Sequence, residues 1–384
     1  MRIAMFTETF LPSTDGIVTR LCATLKYLER KGHEVLLFAP SGSPSTYASA
    51  TIVGIPAYPF ILYPEKRYAL PMPRIGRRIK QFRPDLIHAV NPAFLGIGGV
   101  YYAWKFRLPF IASYHTNVPG YARHYKLDFL EPALWWYFRT LHNRAHLNLA
   151  TSKATLRELE EHGFLNLDLW ERGVDVELFQ SAKRSEEMRK RLAPGAGPSD
   201  PVLLYVGRLA SEKNIDRIRP CLDAIPNLHL AIVGDGPYRP DLERIFAGTN
   251  AHFTGYMHGT TLAEAYASAD AFLFPSTTET LGLVLFEAMA AGLPVLAADS
   301  APTREVLEDG RAGFIFDPTS TESMIQLVKD MISNSERREQ VRARGLEIAQ
   351  TLDWDGPSEQ LLGHYERVCQ MHALVPSPVQ SPTR

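Results

Sequence analysis

A guanidinium and an ammonium a few residues apart, just past a short apolar run, suit a diphosphate. In this 384-residue chain the run Val202-Leu203-Leu204-Tyr205-Val206 reads as a buried strand, followed by Gly207-Arg208-Leu209 and then by Lys213, five residues beyond Arg208. Arg208 supplies a planar fork and Lys213 a point charge, which together neutralise two phosphates. A second constellation follows Phe274-Pro275-Ser276: Glu279-Thr280-Leu281-Gly282-Leu283-Val284-Leu285-Phe286-Glu287, with the two glutamates eight positions apart. A helix starting near Leu281 carries Glu287 on its body and leaves Glu279 just ahead of it. Gly282 permits close backbone approach, and free amides at a helix start favour an anion. Taken alone, each of Arg208, Lys213, Glu279 and Glu287 fits an ordinary surface ion pair. Their order, at consecutive strand ends of one sheet, points to one anionic ligand.

Other candidates are less specific. His115 follows the strand-like run Pro109-Phe110-Ile111-Ala112-Ser113-Tyr114, and by itself reads as a structural group bonded to backbone. Arg172-Gly173-Val174-Asp175 allows two readings: Arg172 and Asp175 help bind phosphate or acceptor, or they merely fix a crossover between domains. Asp353-Trp354-Asp355 has metal-triplet spacing but stands just before the last helix, where aspartate is a common cap, so no metal ligand is assigned. Gly96-Ile97-Gly98-Gly99 lacks the spacing of a dinucleotide fingerprint and reads as helix packing. Cys22, Cys221 and Cys369 match neither a disulfide framework nor a zinc site, and no G-x-S-x-G elbow occurs.

The elements that must hold these groups show as short β-branched runs alternating with longer helical patterns, the signature of parallel sheets covered by helices. Arg2–Phe6, Glu34–Phe38, Asp85–His88, Pro109–Ser113 and Leu147–Ala150 read as strands. A helix from about Ile17 to Lys31 puts Val18, Leu21, Leu25 and Leu28 on one face and stops at Gly32; another spans about Phe94 to Phe106. Residues 181–200, charged and then rich in Pro and Gly, read as a linker. Val202–Val206, Leu228–Val233, Ala271–Phe274 and Pro294–Ala297 open a second series. The expected architecture is α/β, with two Rossmann-like domains, 1–180 and 201–354, facing a cleft at the carboxyl ends of their strands. A terminal helix is expected over 355–372, crossing back to the first domain, and a disordered tail over 373–384.

With 41 Lys+Arg against 42 Asp+Glu, the net charge of −1 excludes a dominantly nucleic-acid-binding surface, and 45% apolar residues excludes a disordered chain. The halves differ: residues 1–180 hold 21 Lys+Arg and 15 Asp+Glu, the remainder 20 and 27. Segment 58–83 is first aromatic and apolar (Tyr58, Phe60, Leu62, Tyr63, Tyr68, Leu70, Met72), then basic, with no acid between Lys66 and Arg83. It reads as a membrane-docking surface whose Arg74, Arg77, Arg78 and Lys80 hold anionic headgroups, or as a solvated basic helix beside a proline-rich loop. Trp135-Trp136-Tyr137-Phe138 fits that surface or the core equally. No run approaches the roughly 18 apolar residues of a spanning helix, and the N-terminus lacks signal-peptide features, so a cytoplasmic location is expected.

The charged constellation resembles the C-terminal domain of family 4 retaining glycosyltransferases of the GT-B fold. Their markers are G-R-L-x-x-E-K, here Gly207 to Lys213, and E-x7-E, here Glu279 to Glu287. The resemblance extends over Gly234-Asp235-Gly236-Pro237, Gly255-Tyr256-Met257 and Asp15-Gly16-Ile17, and covers roughly residues 1–370. Thr7-Glu8-Thr9-Phe10-Leu11-Pro12, Asp15-Gly16-Ile17-Val18 and Ser113-Tyr114-His115-Thr116-Asn117 most resemble the sulfoquinovosyldiacylglycerol (sulfolipid) synthase branch, and related lipid mannosyl- and glucuronosyltransferases share much of this.

The resemblance implies that Glu287 binds ribose hydroxyls, that Tyr256 and Met257 line the base pocket, and that Arg208 and Lys213 hold the diphosphate. Glu279 and the amides of Leu281, Gly282 and Leu283 would orient the sugar, with Leu281 standing where the family often has an aromatic. Gly16 would let the N-terminal loop approach the phosphates. His115 would reach the sugar's sixth carbon, with Thr116 and Asn117 as further donors. The implied reaction is retaining transfer of sulfoquinovose from UDP-sulfoquinovose to diacylglycerol by front-face attack, without metal or other cofactor. The partners are then a UDP-sugar donor, a diacylglycerol acceptor and the anionic surface of an inner or thylakoid membrane, and no nucleic acid. Other readings are a mannosyl, glucosyl or glucuronosyl donor, a nucleotide-sugar 2-epimerase, and a silent sugar-nucleotide sensor, against which the complete charged set speaks.

Overall fold

Runs such as Ile3-Ala4-Met5-Phe6 and Leu203-Leu204-Tyr205-Val206 offer water almost nothing on either face, so they suit central parallel strands covered on both sides. The computed structural model describes residues 1–374 apart from 14, 61, 62, 125 and 126, and has this form in two separate sheets. The first has eight strands in the order Leu167–Leu169, Leu147–Ala150, Phe110–Tyr114, Leu86–Val90, Arg2–Thr7, Glu34–Pro40, Ala50–Ile55, Thr46–Tyr47. Neighbours are parallel except in the last pair, and Ile3 stands opposite both Val35 and Leu86. The second sheet is parallel throughout: Ala251–Gly255, His229–Val233, Val202–Val206, Ala271–Phe274, Val295–Ala298, Phe314–Phe316. Each order reverses beside the strand that opens its series, Arg2–Thr7 or Val202–Val206. Crevices at the carboxyl ends of such switch points are where open α/β sheets bind ligands.

The Gly16–Arg30 helix buries Val18, Leu21, Leu25 and Leu28 against the first sheet, and Asp15 Oδ1 caps it by accepting the Val18 N–H at 3.1 Å. Strands Ala50–Ile55, Leu167–Leu169, Ala251–Gly255 and Phe314–Phe316 carry little signal in the sequence. Three of them are sheet edges, and the fourth is covered only by the two-residue strand Thr46–Tyr47, so polar residues break their apolar pattern.

The stretch 181–200 is not an open linker. Glu186–Leu192 is a helix capped by the Ser185 hydroxyl, and Met188 and Leu192 lie in the second core with Val174 and Phe179. Arg189 is buried there, pairing with Asp270 at 2.9 Å and donating to the Ser268 and Asp200 carbonyls. A charged composition therefore imitated a solvated segment. The chain passes between the units near Trp170–Gly173 and returns near Leu352–Trp354, and Val174 N–H donates to the Leu352 carbonyl at 3.3 Å. A Cβ on Gly173 would lie 2.4 Å from the Asp353 carbonyl oxygen, so only glycine fits where the two crossings touch.

After the second crossing, Asp353 Oδ1 accepts the Gly356 N–H at 2.8 Å as a helix cap, and Asp355 pairs with Arg30. The Asp355–Leu374 helix returns to the first unit, where Leu361, Tyr365 and Val368 enter its core and Arg367 meets Asp168 at 2.6 Å. Of the expected tail, 373 and 374 belong to this helix, and 375–384 lie outside the described residues.

Candidate active site

Arg208 and Lys213 stand beyond the carboxyl end of Val202–Val206, and Glu279 follows the neighbouring strand Ala271–Phe274. Arg208 pairs with Glu212, which is fully buried, and Lys213 pairs with Glu279. Burial works against the Lys213 charge, but Glu279 beside it prevails and holds its pKa above the ordinary value. The helix expected near Leu281 begins at Leu283 and runs to Ala290, with Gly282 left-handed at its N-cap (φ +75°) and Leu281 buried. Glu287 lies on its second turn. Burial raises the Glu287 carboxyl to about 7, against the pull of the Tyr266 hydroxyl, which donates to Oε2 at 2.9 Å. Tyr256 is exposed with its hydroxyl donating to the Asp235 carbonyl, whereas Met257 is packed in the second core.

The first unit meets this region directly. A Cβ on Gly16 would approach Leu283 Cδ1 to 3.2 Å, so the Gly16 loop lies against the start of the Leu283–Ala290 helix. The Thr280 hydroxyl donates to the His115 carbonyl at 2.8 Å, and the Thr280 carbonyl accepts from Ser152 and Thr155 at 2.9 and 3.0 Å. His115 Nε2 bonds the Ser113 hydroxyl at 2.9 Å; the same hydroxyl meets His88 Nε2, and His88 Nδ1 meets the Tyr365 hydroxyl at 2.8 Å. This relay runs from the terminal helix to the cleft. Burial, with Arg20 and His88 nearby, keeps the His115 pKa well below the ordinary value, and burial takes His88 down to about 3. Both rings are neutral at physiological pH.

Residues 14–178 match the family described as Glycosyltransferase Family 4, and residues 186–347 match Glycosyl transferases group 1. A sulfoquinovosyl transferase of Arabidopsis thaliana is 36% identical over 92% of this chain and 71% of its own. The chain belongs to glycosyltransferase family 4. A GDP-mannose-dependent alpha-mannosyltransferase of Mycolicibacterium smegmatis is 34% identical over 97% of this chain and 99% of its own. An alpha-monoglucosyldiacylglycerol synthase of Streptococcus pneumoniae is 27% identical, covering 82% and 75%. The structure of Anabaena HepE in complex with UDP and glucose superposes with a TM-score of 0.76 at 19% identity, covering 94% of this chain and 99% of that one, and so shares the fold. That fold is GT-B, and this protein is a glycosyltransferase.

Several of the expected residues of this glycosyltransferase are held by neighbouring groups. Asp175 Oδ1 caps the Val176–Ser181 helix through the Leu178 N–H, beside the crossing. Arg172 contacts Glu305 at 3.4 Å and lies 4.8 Å over the Phe286 ring. The Asn117 amide donates to Glu158 and accepts the Gly120 N–H, and the Thr116 backbone N–H is held by Asn91. Gly98 and Gly99 press on Phe6, which is helix packing as read.

Some residues escaped the sequence reading of the family 4 chain. Glu8 accepts the N–H groups of Ala93, Phe94, Leu95 and Gly96 at 2.8–3.1 Å, clamping the start of the Gly96–Phe106 helix to the end of the first strand. Glu305 crosses between units to cap the Lys153–Glu161 helix through the Lys153 and Ala154 N–H groups. Ser113, His88 and Arg20 likewise lie in apolar strand or helix patterns that give no sign of a polar partner.

In the 58–83 segment, the Pro73–Phe82 helix turns Ile75 and Ile79 inward and leaves Arg74, Arg77, Arg78 and Lys80 exposed. Gly76 packs on Tyr102 of the neighbouring Gly96–Phe106 helix, which also carries the exposed Tyr101 and Trp104. The side chains of Phe60, Leu62 and Tyr63 lie outside the described part. Trp135 and Phe138 are core, whereas Trp136 is 60% exposed. Among the described residues no helix is long and apolar enough to cross a membrane.

Proposed function

We propose that this glycosyltransferase moves sulfoquinovose from UDP-sulfoquinovose to diacylglycerol with retention of the α configuration. The observation that carries the transfer reading is the convergence of Arg208, Lys213, Glu279 and Glu287 at neighbouring strand ends, with the Thr280 hydroxyl tied across to the His115 backbone carbonyl. Departure of UDP builds charge on the β-phosphate, and Arg208, Lys213 and the amides near Leu281–Leu283 stabilise it. Glu287 accepts the ribose hydroxyls and Tyr256 borders the base. Glu279 orients the sugar while its neighbour Lys213 stays charged. The acceptor hydroxyl enters on the face from which the phosphate leaves and passes its proton to that phosphate. Contact between Gly16 and Leu283 helps close the cleft to water. The basic Pro73–Phe82 face with Tyr101 and Trp104 brings the cleft to an anionic bilayer.

The sugar and the acceptor are supported by the 36% identity with the Arabidopsis sulfoquinovosyl transferase and by the similarity to a diacylglycerol glucosyltransferase. A second reading, mannosyl transfer from GDP-mannose, is favoured by one observation: the mycobacterial enzyme matches over nearly its whole length. Assay of UDP-sulfoquinovose, UDP-glucose, UDP-glucuronate and GDP-mannose against diacylglycerol separates the two. Preferential sulfolipid formation is expected, and preferential use of GDP-mannose would replace the first reading with the second.

A further inference from the structure

Arg20 is 2% exposed, on the second turn of the Gly16–Arg30 helix. Its guanidinium lies 4.6 Å over the Trp170 ring and donates one bond, from Nη1 to the Trp170 carbonyl at 3.1 Å. Nη2 is buried with no hydrogen-bond partner among the described residues, and no carboxylate there pairs with Arg20. Arg172 is close enough to oppose its charge. Together with burial, Arg172 brings the Arg20 pKa down to about 9, which leaves Arg20 charged at neutral pH. Arg172 has a buried Nε that also lacks a partner among the described residues. Its one carboxylate contact, Glu305 at 3.4 Å, is shared with the N–H groups of Lys153 and Ala154. The His115 ring packs 5.3 Å from the same Trp170 ring.

Two guanidiniums close enough for their charges to oppose, with one carboxylate between them, leave about one positive charge uncompensated, and Arg20 itself is almost dry, an arrangement that is costly unless an anion completes it. Each has an N–H still to give, and guanidinium forks suit tetrahedral oxyanions. We propose that Arg20 and Arg172, beside His115, form a second oxyanion site, separate from Arg208 and Lys213, that takes a singly charged sulfonate or phosphate ester carried by a substrate. On the reading of the function given above, that group is the sulfonate of the donor sugar. His115 is neutral there, so the charge that recognises the sulfonate comes from the two arginines.

The test compares wild type with Arg172→Gln, Arg20→Gln and Arg20→Lys, each checked for thermal unfolding and for UDP binding. Donors are UDP-sulfoquinovose and UDP-glucose with diacylglycerol; acceptors are diacylglycerol and phosphatidylinositol with whichever donor the wild type uses. With the proposed donor, kcat/KM for UDP-sulfoquinovose falls roughly 10- to 100-fold in Arg172→Gln and Arg20→Gln, as for a lost bond to a charged group, while UDP-glucose turnover and UDP affinity change little. Arg20→Lys retains the charge without the fork and falls between. If the wild type instead uses a neutral donor, the reading of the function fails, yet the site stands if the same variants lose preference for the phosphate-bearing acceptor. Should Arg20→Gln not fold, Arg172→Gln carries the test alone, with one further measure. Sulfate then raises the wild-type unfolding temperature above chloride at equal ionic strength, and in Arg172→Gln only the general salt effect of sulfate remains. Variants that fold, bind UDP and treat charged and neutral substrates as the wild type does would overturn the proposal, as would equal losses on both.

Discussion

Glu287 sits where burial and a hydroxyl pull its proton in opposite directions, and burial prevails, raising the carboxyl from 4.5 to about 7. A folded-state pKa above the unfolded one contributes stability that is complete below about 4.5 and is lost as pH rises through about 7. Thermal unfolding of the enzyme should therefore weaken between these values, and Glu287→Gln should flatten the trend. In the proposed donor site, the ionised form of Glu287 is the one that accepts the ribose hydroxyls. UDP affinity should thus rise roughly tenfold from about pH 6 to pH 8, the ratio of ionised fractions about a pKa near 7, and Glu287→Gln should keep only the part due to the ligand's own phosphate. If Arg208 and Lys213 act on charge that grows in the transition state, as proposed, Arg208→Ala and Lys213→Ala should each lower kcat by about 100- to 1,000-fold. Near-normal turnover in both variants would refute their assignment. Burial holds the His115 pKa well below its ordinary value, so no inflection near that ordinary value should appear in the rate profile.

Glu8 acts on an element rather than on a ligand. The N–H groups of Ala93, Phe94 and Leu95, just ahead of the Gly96–Phe106 helix, and of Gly96, its first residue, converge on the Glu8 carboxylate at the end of the first strand. Glu8→Ala should cost about 2 kcal/mol or more, measured by denaturant unfolding, since it removes a cap and strands buried donors together. Glu8→Gln, with one acceptor oxygen left, should lose less. The same helix supplies Tyr101 and Trp104 to the outer face, so loosening it should also weaken liposome binding.

At the scale of the whole molecule, the two units are joined by Thr280, Glu305 and the touching crossings at Gly173 and Asp353, while the first unit alone carries the basic surface. Each exposed cation near an anionic bilayer contributes about 1 kcal/mol, so neutralising Arg74, Arg77, Arg78 and Lys80 together should reduce sedimentation with anionic liposomes by roughly 100-fold or more. Rising salt should do the same to the wild type. Unchanged binding in the quadruple variant would move the docking surface elsewhere, with the exposed Phe129 and Trp136 as the next place to examine.

The sequence by itself determined the two series of buried strands, because a strand covered on both faces must be apolar along its length, and it ordered Arg208, Lys213, Glu279 and Glu287 at strand ends. It also settled the family, since those spacings recur with their glycines. Tertiary structure decided the rest. The 181–200 stretch looked like a linker because charge usually means solvent, yet Arg189 is buried on Asp270 and Met188 and Leu192 complete the second core. Of four consecutive aromatics only the fold divides Trp135 and Phe138 from Trp136, since helical phase without a partner surface does not say which side is inside. Arg20 shows the limit most clearly. In sequence it is a cation on an amphipathic helix, and its meaning depends on Trp170, Arg172 and His115, each contributed from a distant segment by long-range packing that no local pattern encodes.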